Sequence, residues 1–139
     1  MSHSKLTQDM LARCVRASLA PRRDDLRAGI HADVQLVAGV GEYEIDVLIR
    51  VHDGKRVDIV GQVTGRERIH EPVARLGVVL YDAEAMKAVG ATETDPFGEF
   101  EMSNLEGERF VLALGTGREA PCVLIWEGGR HAADCQAAV

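Results

Sequence analysis

Apolar residues recur at every second position over most of this chain beyond residue 33, a spacing that lines up side chains on one face of a β-strand. In the clearest segment the alternating apolar residues are Tyr43, Ile45, Val47, Ile49 and Val51, with Leu48 the single apolar residue on the other face. A second run follows, made of Val57, Ile59, Gly61 and Val63. The alternation predicts a mainly β fold.

The turn between these two strands determines which residues pair across them. A two-residue loop at Asp53 and Gly54 would set the apolar face of one strand beside the polar face of the other. A three-residue loop of residues 52–54, with Gly54 in a left-handed conformation, instead pairs Ile49 with Val57. We therefore predict the three-residue loop.

Short connections that contain Gly, Pro, Asn or Asp separate the further β segments. These segments are Ala74–Asp82, Lys87–Thr92, Glu99–Met102, Arg109–Leu114 and Cys122–Trp126, with a possible additional strand at Val34–Ala38. The spacing predicts an antiparallel, Greek-key-like β-sandwich of about seven strands over residues 33–127, followed by a flexible tail at residues 128–139. In the last strand Trp126 alternates with Leu124 and Cys122, so the three should share a face, and core packing is the expected role of Trp126.

Before residue 33 the apolar spacing changes to three and four residues, which is typical of an amphipathic helix. We predict a basic N-terminal helix from Leu6 to Leu19, ended by Pro21, and a charged linker, together occupying residues 1–28. The residues expected to bind a partner are Leu6, Met10, Leu11 and Cys14 on the apolar stripe, with the nearby Arg13 and Arg16. The partner would be another protein or a second copy of the chain. The alternative is that the stripe packs on the sandwich.

Charge is divided unevenly between this segment and the rest of the chain. The net charge is −6, but residues 1–28 hold six Lys and Arg against three Asp and Glu, which leaves about −9 for the remainder. An acidic body repels a phosphate backbone, so we expect no nucleic-acid partner.

No apolar run approaches the ~20 residues that cross a bilayer, so we expect no membrane contact. Three cysteines at unpatterned positions indicate reduced thiols, and we therefore expect a cytoplasmic protein.

The residues able to carry chemistry do not form a recognisable catalytic or metal-binding motif. His131 and Cys135 are spaced as two metal ligands on one helix face would be, but the position that would complete His-x3-Cys-x2-Cys is Ala138. No serine sits in a Gly-x-Ser-x-Gly elbow, and Cys122 lies in a predicted strand as a core residue. We therefore expect no enzymatic activity, no cofactor and no metal.

Carboxylates alternate with apolar residues in two of the predicted strands and could form an acidic strip on one sheet face. The residues concerned are Glu42, Glu44, Asp46, Glu99 and Glu101. The alternative interpretation is an ordinary solvated outer face.

Three segments share the pattern of a known domain family. They are residues 73–80 (VARLGVVL), 94–100 (TDPFGEF) and 104–112 (NLEGERFVL). Over residues 57–126 they resemble the carboxypeptidase regulatory-like, or transthyretin-like, β-sandwich domains. In this pattern Asp95 opens a turn, Gly98 takes a positive φ, and Phe100 points into the core at the start of the next strand.

A second resemblance covers residues 37–47 (VAGVGEYEIDV) and 57–63 (VDIVGQV), which look like the sandwich regions of bacterial proteins related to anti-sigma factors. It implies a regulatory, protein-binding role. Those relatives often carry an N-terminal zinc-binding His-x3-Cys-x2-Cys motif, which this chain lacks near its N-terminus.

The function expected from these features is that of a non-catalytic protein-interaction or regulatory module, connected with signalling or transcription regulation. The alternatives are a structural subunit of a larger assembly and a sensor or enzyme that binds a small ligand or a metal.

Overall fold

The computed structural model describes residues 5–19, 34–52, 56–67, 71–117 and 119–127, and their fold is mainly β, as predicted. In chain order the elements are α1 (Gln8–Arg13), β1 (Val15–Arg16), β2 (Ser18–Leu19), β3 (Val34–Val40), β4 (Tyr43–Val51), β5 (Arg56–Gly65), β6 (Gly77–Asp82), β7 (Lys87–Glu93), β8 (Glu99–Glu106), β9 (Arg109–Leu114) and β10 (Cys122–Glu127). Sheet A has the strand order β1-β10-β9-β6-β7, and sheet B has the order β2-β3-β4-β5-β8. The pairing of β1 with β10 is parallel and the other pairings of these strands are antiparallel.

The two sheets share one hydrophobic core. Sheet B contributes Leu36, Val47 and Ile59, and sheet A contributes Leu80 and Leu112, all of them fully buried. The alternate positions of β4 and β5 that were predicted to be apolar and internal do face this core. Burial of these aliphatic side chains is the main stabilising contribution available to a fold of this size.

The three middle strands of sheet A, β6, β9 and β10, are buried on both faces. The runs Val78–Tyr81, Phe110–Leu114 and Cys122–Trp126 are buried without a break. The side chains on the outer side of this sheet form a second hydrophobic cluster, and the N-terminal segment covers them with Leu6 and Met10. Continuous apolar strands are typical of a sheet with cover on both faces, and here the cover is the short N-terminal segment.

The N-terminal helix is shorter than predicted. The Thr7 side chain accepts a hydrogen bond from the backbone N–H of Met10 at 3.1 Å, which begins α1, and the chain is already extended at Cys14. The helix therefore spans six residues, Gln8–Arg13, where the sequence predicted one that continued to Leu19. No described helix is long and apolar enough to cross a bilayer.

Beyond the helix, the chain adds one short strand to each sheet. Val15 pairs with Val123 in sheet A, and Ser18 pairs with Val37 in sheet B, while Ala17 between them is buried. The helical prediction fails for this stretch because the open edges of both sheets supply backbone hydrogen bonds that the end of a helix leaves unmade. The sheets thus begin well before residue 33, where the β region was predicted to start.

The β4–β5 hairpin has a register two residues away from the predicted one. Ile49 faces Ile59 and not Val57, and the backbone N–H of His52 donates to the carbonyl of Arg56 at 2.8 Å, so His52, which the sequence predicted to lie in the loop, is paired. A shift of two residues keeps every side chain on its own face. The predicted faces are therefore right although the predicted pairs are wrong.

A β-bulge changes the face on which Trp126 lies. The register between β9 and β10 shifts between Leu124 and Trp126. Trp126 consequently packs in the core between the sheets with Val123 and Ile125, whereas Leu124 and Cys122 belong to the outer cluster of sheet A. Core packing of the tryptophan is confirmed, but the shared face is wrong because one extra residue inverts the alternation.

The turn that leads into β8 has the predicted construction. Gly98 has a φ of +77°, and Asp95 Oδ1 accepts two backbone N–H groups, from residues two and four positions further on, both at 2.9 Å. Phe100 is buried, and its ring lies so close to Gly61 that a Cβ at position 61 would overlap it.

Candidate functional site

The outer face of sheet B carries acidic side chains from two strands. In β4, burial of Ile45 and its alternate neighbours leaves Glu44 and Asp46 exposed. In β8, residues 99 and 101 are exposed for the same reason. We call the surface that carries the carboxylates of Glu44, Asp46, Glu99 and Glu101 the acidic face.

Strand β5 lies between the two acidic strands and aligns them. Asp46 pairs with Gln62, and Gln62 pairs in turn with Glu99. Directly paired residues share a sheet face, so these three side chains form one row. Four of the five carboxylates considered from the sequence thus lie on one exposed sheet face, while Glu42 lies in the turn before β4.

A groove of about 400 Å³ opens on this face beside β3. Its walls include Val37, Glu44, Asp46 and Thr64, and Gly39, over which the guanidinium of Arg66 lies, forms part of its border. The groove therefore offers carboxylates, a hydroxyl and apolar surface within one depression, which is the combination that accommodates a polypeptide.

The carboxylates of the acidic face have no cationic partner in the part of the chain that the structure describes. Asp46 Oδ1 accepts a hydrogen bond from Gln35 Nε2 at 2.9 Å, which leaves its charge uncompensated. The guanidinium of Arg66 lies over Gly39 at the edge of the groove and donates to the backbone oxygen of residue 41 at 3.0 Å. Four like charges on one surface produce a negative potential that attracts cations.

An exposed aromatic side chain borders this acidic face. Phe97 sits at the tip of the turn before β8 with 67% of its surface exposed. Its backbone oxygen accepts a hydrogen bond at 3.1 Å from Nε2 of Gln62, the residue that lies between Asp46 and Glu99. No role was predicted for Phe97 from the sequence, although an aromatic residue in a turn that contains Pro and Gly could have indicated an exposed ring.

The residues predicted to bind a partner through the N-terminal helix lie against the chain's own sheet. Leu6 and Met10 are buried, with 4% and 2% of their surface exposed, and Leu11 and Cys14 pack partly buried against the same cluster. The apolar stripe is therefore occupied by sheet A. This is the arrangement expected of a structural helix.

The two arginines of that set lie on the surface. Arg16 Nη2 is 3.1 Å from Glu127 Oε2, which links β1 to β10. Arg13 is exposed at the end of α1.

His52, the histidine within the described residues, contacts a carboxylate on the neighbouring strand. His52 Nε2 lies 2.7 Å from Asp58 Oδ2, and Asp58 Oδ1 accepts the backbone N–H of Asn104 at 2.8 Å. The hydrogen bond that Asp58 accepts from the backbone of Asn104 lowers its pKa most, and the contact with His52 lowers it further. The pair ties the β4–β5 hairpin to β8.

No group of three or more His, Cys, Asp or Glu side chains within the described ranges is placed to hold a metal ion. Gly54, His131 and Cys135, which entered the predictions for the hairpin and for a metal site, lie outside the described residues.

Comparison of the chain with protein-family models, with curated proteins and with solved structures finds no match.

Proposed function

We propose that this chain is a non-catalytic protein-interaction module whose acidic face receives a basic, extended segment of another protein. The observation that carries this proposal is the exposed ring of Phe97 beside four carboxylates that have no described cationic partner. Aromatic anchors next to complementary charge are typical of protein-binding surfaces. A role in regulation, as the resemblance to anti-sigma-factor-related proteins implies, is compatible with such a surface.

The spacing of the carboxylates favours a polypeptide over a metal ion. Along β4, Glu44 and Asp46 are two residues apart, roughly 7 Å, and across the sheet Asp46 and Glu99 are two strand spacings apart, roughly 10 Å. Ligands of a bound calcium ion lie only about 2.3–2.6 Å from the metal. Lysine and arginine side chains that project from an extended segment can reach such separated charges one by one.

We further propose that the two sheets pack as an antiparallel, Greek-key-like sandwich of the transthyretin-like kind. Support comes from the core that both sheets share and from the turn between Asp95 and Gly98, which has the geometry that the family pattern implies. The cytoplasm is the compartment we propose, because three cysteines at unpatterned positions are typical of a protein from a reducing compartment.

The proposal is tested by fluorescence anisotropy with a labelled Lys- and Arg-rich peptide of about twelve residues. We expect binding that weakens as salt is added. Asp46→Asn and Glu99→Gln should each reduce the affinity about two- to fivefold, since each removes one charge and keeps the side-chain shape. Phe97→Ala should reduce it about tenfold, while thermal stability stays unchanged because the ring is exposed.

Glu93→Gln is the matched control. Glu93 is exposed in β7 of the other sheet, so this change alters the net charge equally at a distance from the groove. If it weakens binding as much as Asp46→Asn does, the peptide responds to overall charge and the acidic face is not the site. An absence of binding at low salt, or equal binding of an acidic peptide, would also refute the proposal.

A further inference from the structure

Two cysteines that are far apart in the sequence become neighbours in sheet A. The parallel pairing of β1 with β10 places Val15 opposite Val123. One residue earlier in each segment stand Cys14, whose backbone is already extended, and Cys122, the first residue of β10. The register therefore sets the two cysteines side by side.

Both cysteines pack in the cluster on the outer side of sheet A, Cys122 fully buried and Cys14 half-buried at its border. Each thiol donates to a nearby backbone oxygen, Cys14 Sγ to Met10 at 3.3 Å and Cys122 Sγ to Ala120 at 3.4 Å, and neither is in a disulfide. The neighbouring Cys122 side chain raises the pKa of Cys14, and burial raises it further. The neighbouring Cys14 side chain lowers the pKa of Cys122, burial opposes this, and the positive charge of Arg13 adds to the lowering.

We propose that Cys14 and Cys122 are an oxidation site at which a peroxide forms a reversible disulfide within the chain. Adjacent strands lie about 4.8 Å apart, and disulfides join Cα atoms that are roughly 4.4–6.8 Å apart, so the bond can form without displacement of the strands.

The reaction balances with hydrogen peroxide as the oxidant. The thiolate of one cysteine attacks one peroxide oxygen, the O–O bond breaks, and the departing hydroxide takes up a proton to become water. The sulfur of the other cysteine then attacks the resulting sulfenic sulfur, the S–O bond breaks, and the second hydroxide leaves as water with the proton of that second thiol. Two thiols and one peroxide give one disulfide and two water molecules, and a dithiol reductant reverses the change by exchange.

The consequence is a covalent attachment of the N-terminal segment to β10. In the reduced protein the N-terminal segment covers the outer face of sheet A through non-covalent packing of Leu6 and of Met10 in α1. The disulfide fixes the residue that follows α1 to the first residue of β10, so the cover cannot separate from that strand.

Peptide mapping of the full chain tests the linkage. Trypsin cleavage at arginines 13, 16, 118 and 130 places Cys14 in peptide 14–16, Cys122 in peptide 119–130 and Cys135 in the remaining C-terminal peptide. After hydrogen peroxide and alkylation of the remaining thiols, we expect peptides 14–16 and 119–130 to be joined, with a mass two hydrogens below their sum, and to separate in dithiothreitol. A dominant link to Cys135, or added oxygen without a link, would overturn the proposal.

Thermal unfolding provides a second measurement. Peroxide should raise the unfolding temperature of the unaltered chain by roughly 10 °C, and dithiothreitol should reverse the rise. Cys14→Ser should abolish the shift, and Cys135→Ser, the matched control, should retain it. If Cys14→Ser retains the shift, the stabilisation has another origin and the proposal fails. The peptide map of the unaltered chain remains decisive even if a variant does not fold.

Discussion

Replacement of Met10 by alanine tests whether α1 is a structural cover. The Met10 side chain is 2% exposed and packs with Leu6 on the outer cluster of sheet A. Methionine-to-alanine changes at buried sites cost about 2–5 kcal/mol through lost burial and the cavity left behind. Because a single short helix can settle into part of that cavity, we expect the lower end, about 2–3 kcal/mol.

This energy corresponds to a measurable temperature shift. The entropy of unfolding is about 2.1 cal/mol/K per residue, so a chain of 139 residues has roughly 0.3 kcal/mol/K. A loss of about 2–3 kcal/mol should therefore lower the unfolding temperature by about 7–10 °C.

Urea and thermal unfolding can be followed through Trp126, the only tryptophan of the chain, which is buried in the core between the sheets. Gln8→Ala, an exposed change in the same helix, is the control and should alter stability by less than about 0.5 kcal/mol. If Met10→Ala is equally mild, α1 is not packed in solution, the covering role is refuted, and the apolar stripe is again available to a partner.

Three further changes test the fold at separate points. Gly61→Ala should lower stability by about 1–3 kcal/mol in urea unfolding, because its Cβ would overlap the ring of Phe100; an unchanged midpoint would show that the ring is not held there. Asp95→Ala should cost about 1–2 kcal/mol through loss of two hydrogen bonds to backbone N–H groups, whereas Asp95→Asn, which retains an acceptor, should cost less; equal losses would contradict this account of the turn. The pKa of Asp58 is lowered in the folded chain, so its carboxylate contributes stability that is complete above about pH 5 and is lost as the pH falls through the folded pKa. The free energy of unfolding of Asp58→Asn should accordingly fall less between about pH 5 and pH 2, and an equal fall in both proteins would show that Asp58 contributes nothing.

The strands were predictable because their evidence is local. The alternation of apolar and polar residues predicts the bounds of β4 correctly, and a turn that contains Pro and Gly predicts the start of β8. The pairing of strands is less determined by local evidence, because registers that differ by two residues bury the same side chains. For the β4–β5 hairpin the apolar pattern excluded the register that pairs an apolar face with a polar one. It could not choose between the pairing of Ile49 with Val57 and the observed pairing of Ile49 with Ile59.

The acidic face was partly predictable for the same reason. Alternation exposes Asp46 and Glu99 whatever their partners are, but their common row depends on β8 pairing with β5, a contact between strands far apart in the sequence. The adjacent positions of Cys14 and Cys122 could not be predicted at all, because they follow from the pairing of a two-residue strand in a segment whose apolar residues have helical spacing.

The N-terminal segment shows why an amphipathic pattern alone does not identify an interaction surface. Its stripe of apolar residues is the same whether it faces a partner or the chain's own sheet, and the sequence of the sheet decides between the two. The unbroken apolar runs of β9 and β10 require cover on both faces of sheet A, and Leu6 and Met10 provide it. Sheet B alternates between buried and exposed side chains and needs no second cover. Its outer face is therefore the one left open, which is why we place the proposed interaction there and not on the helix.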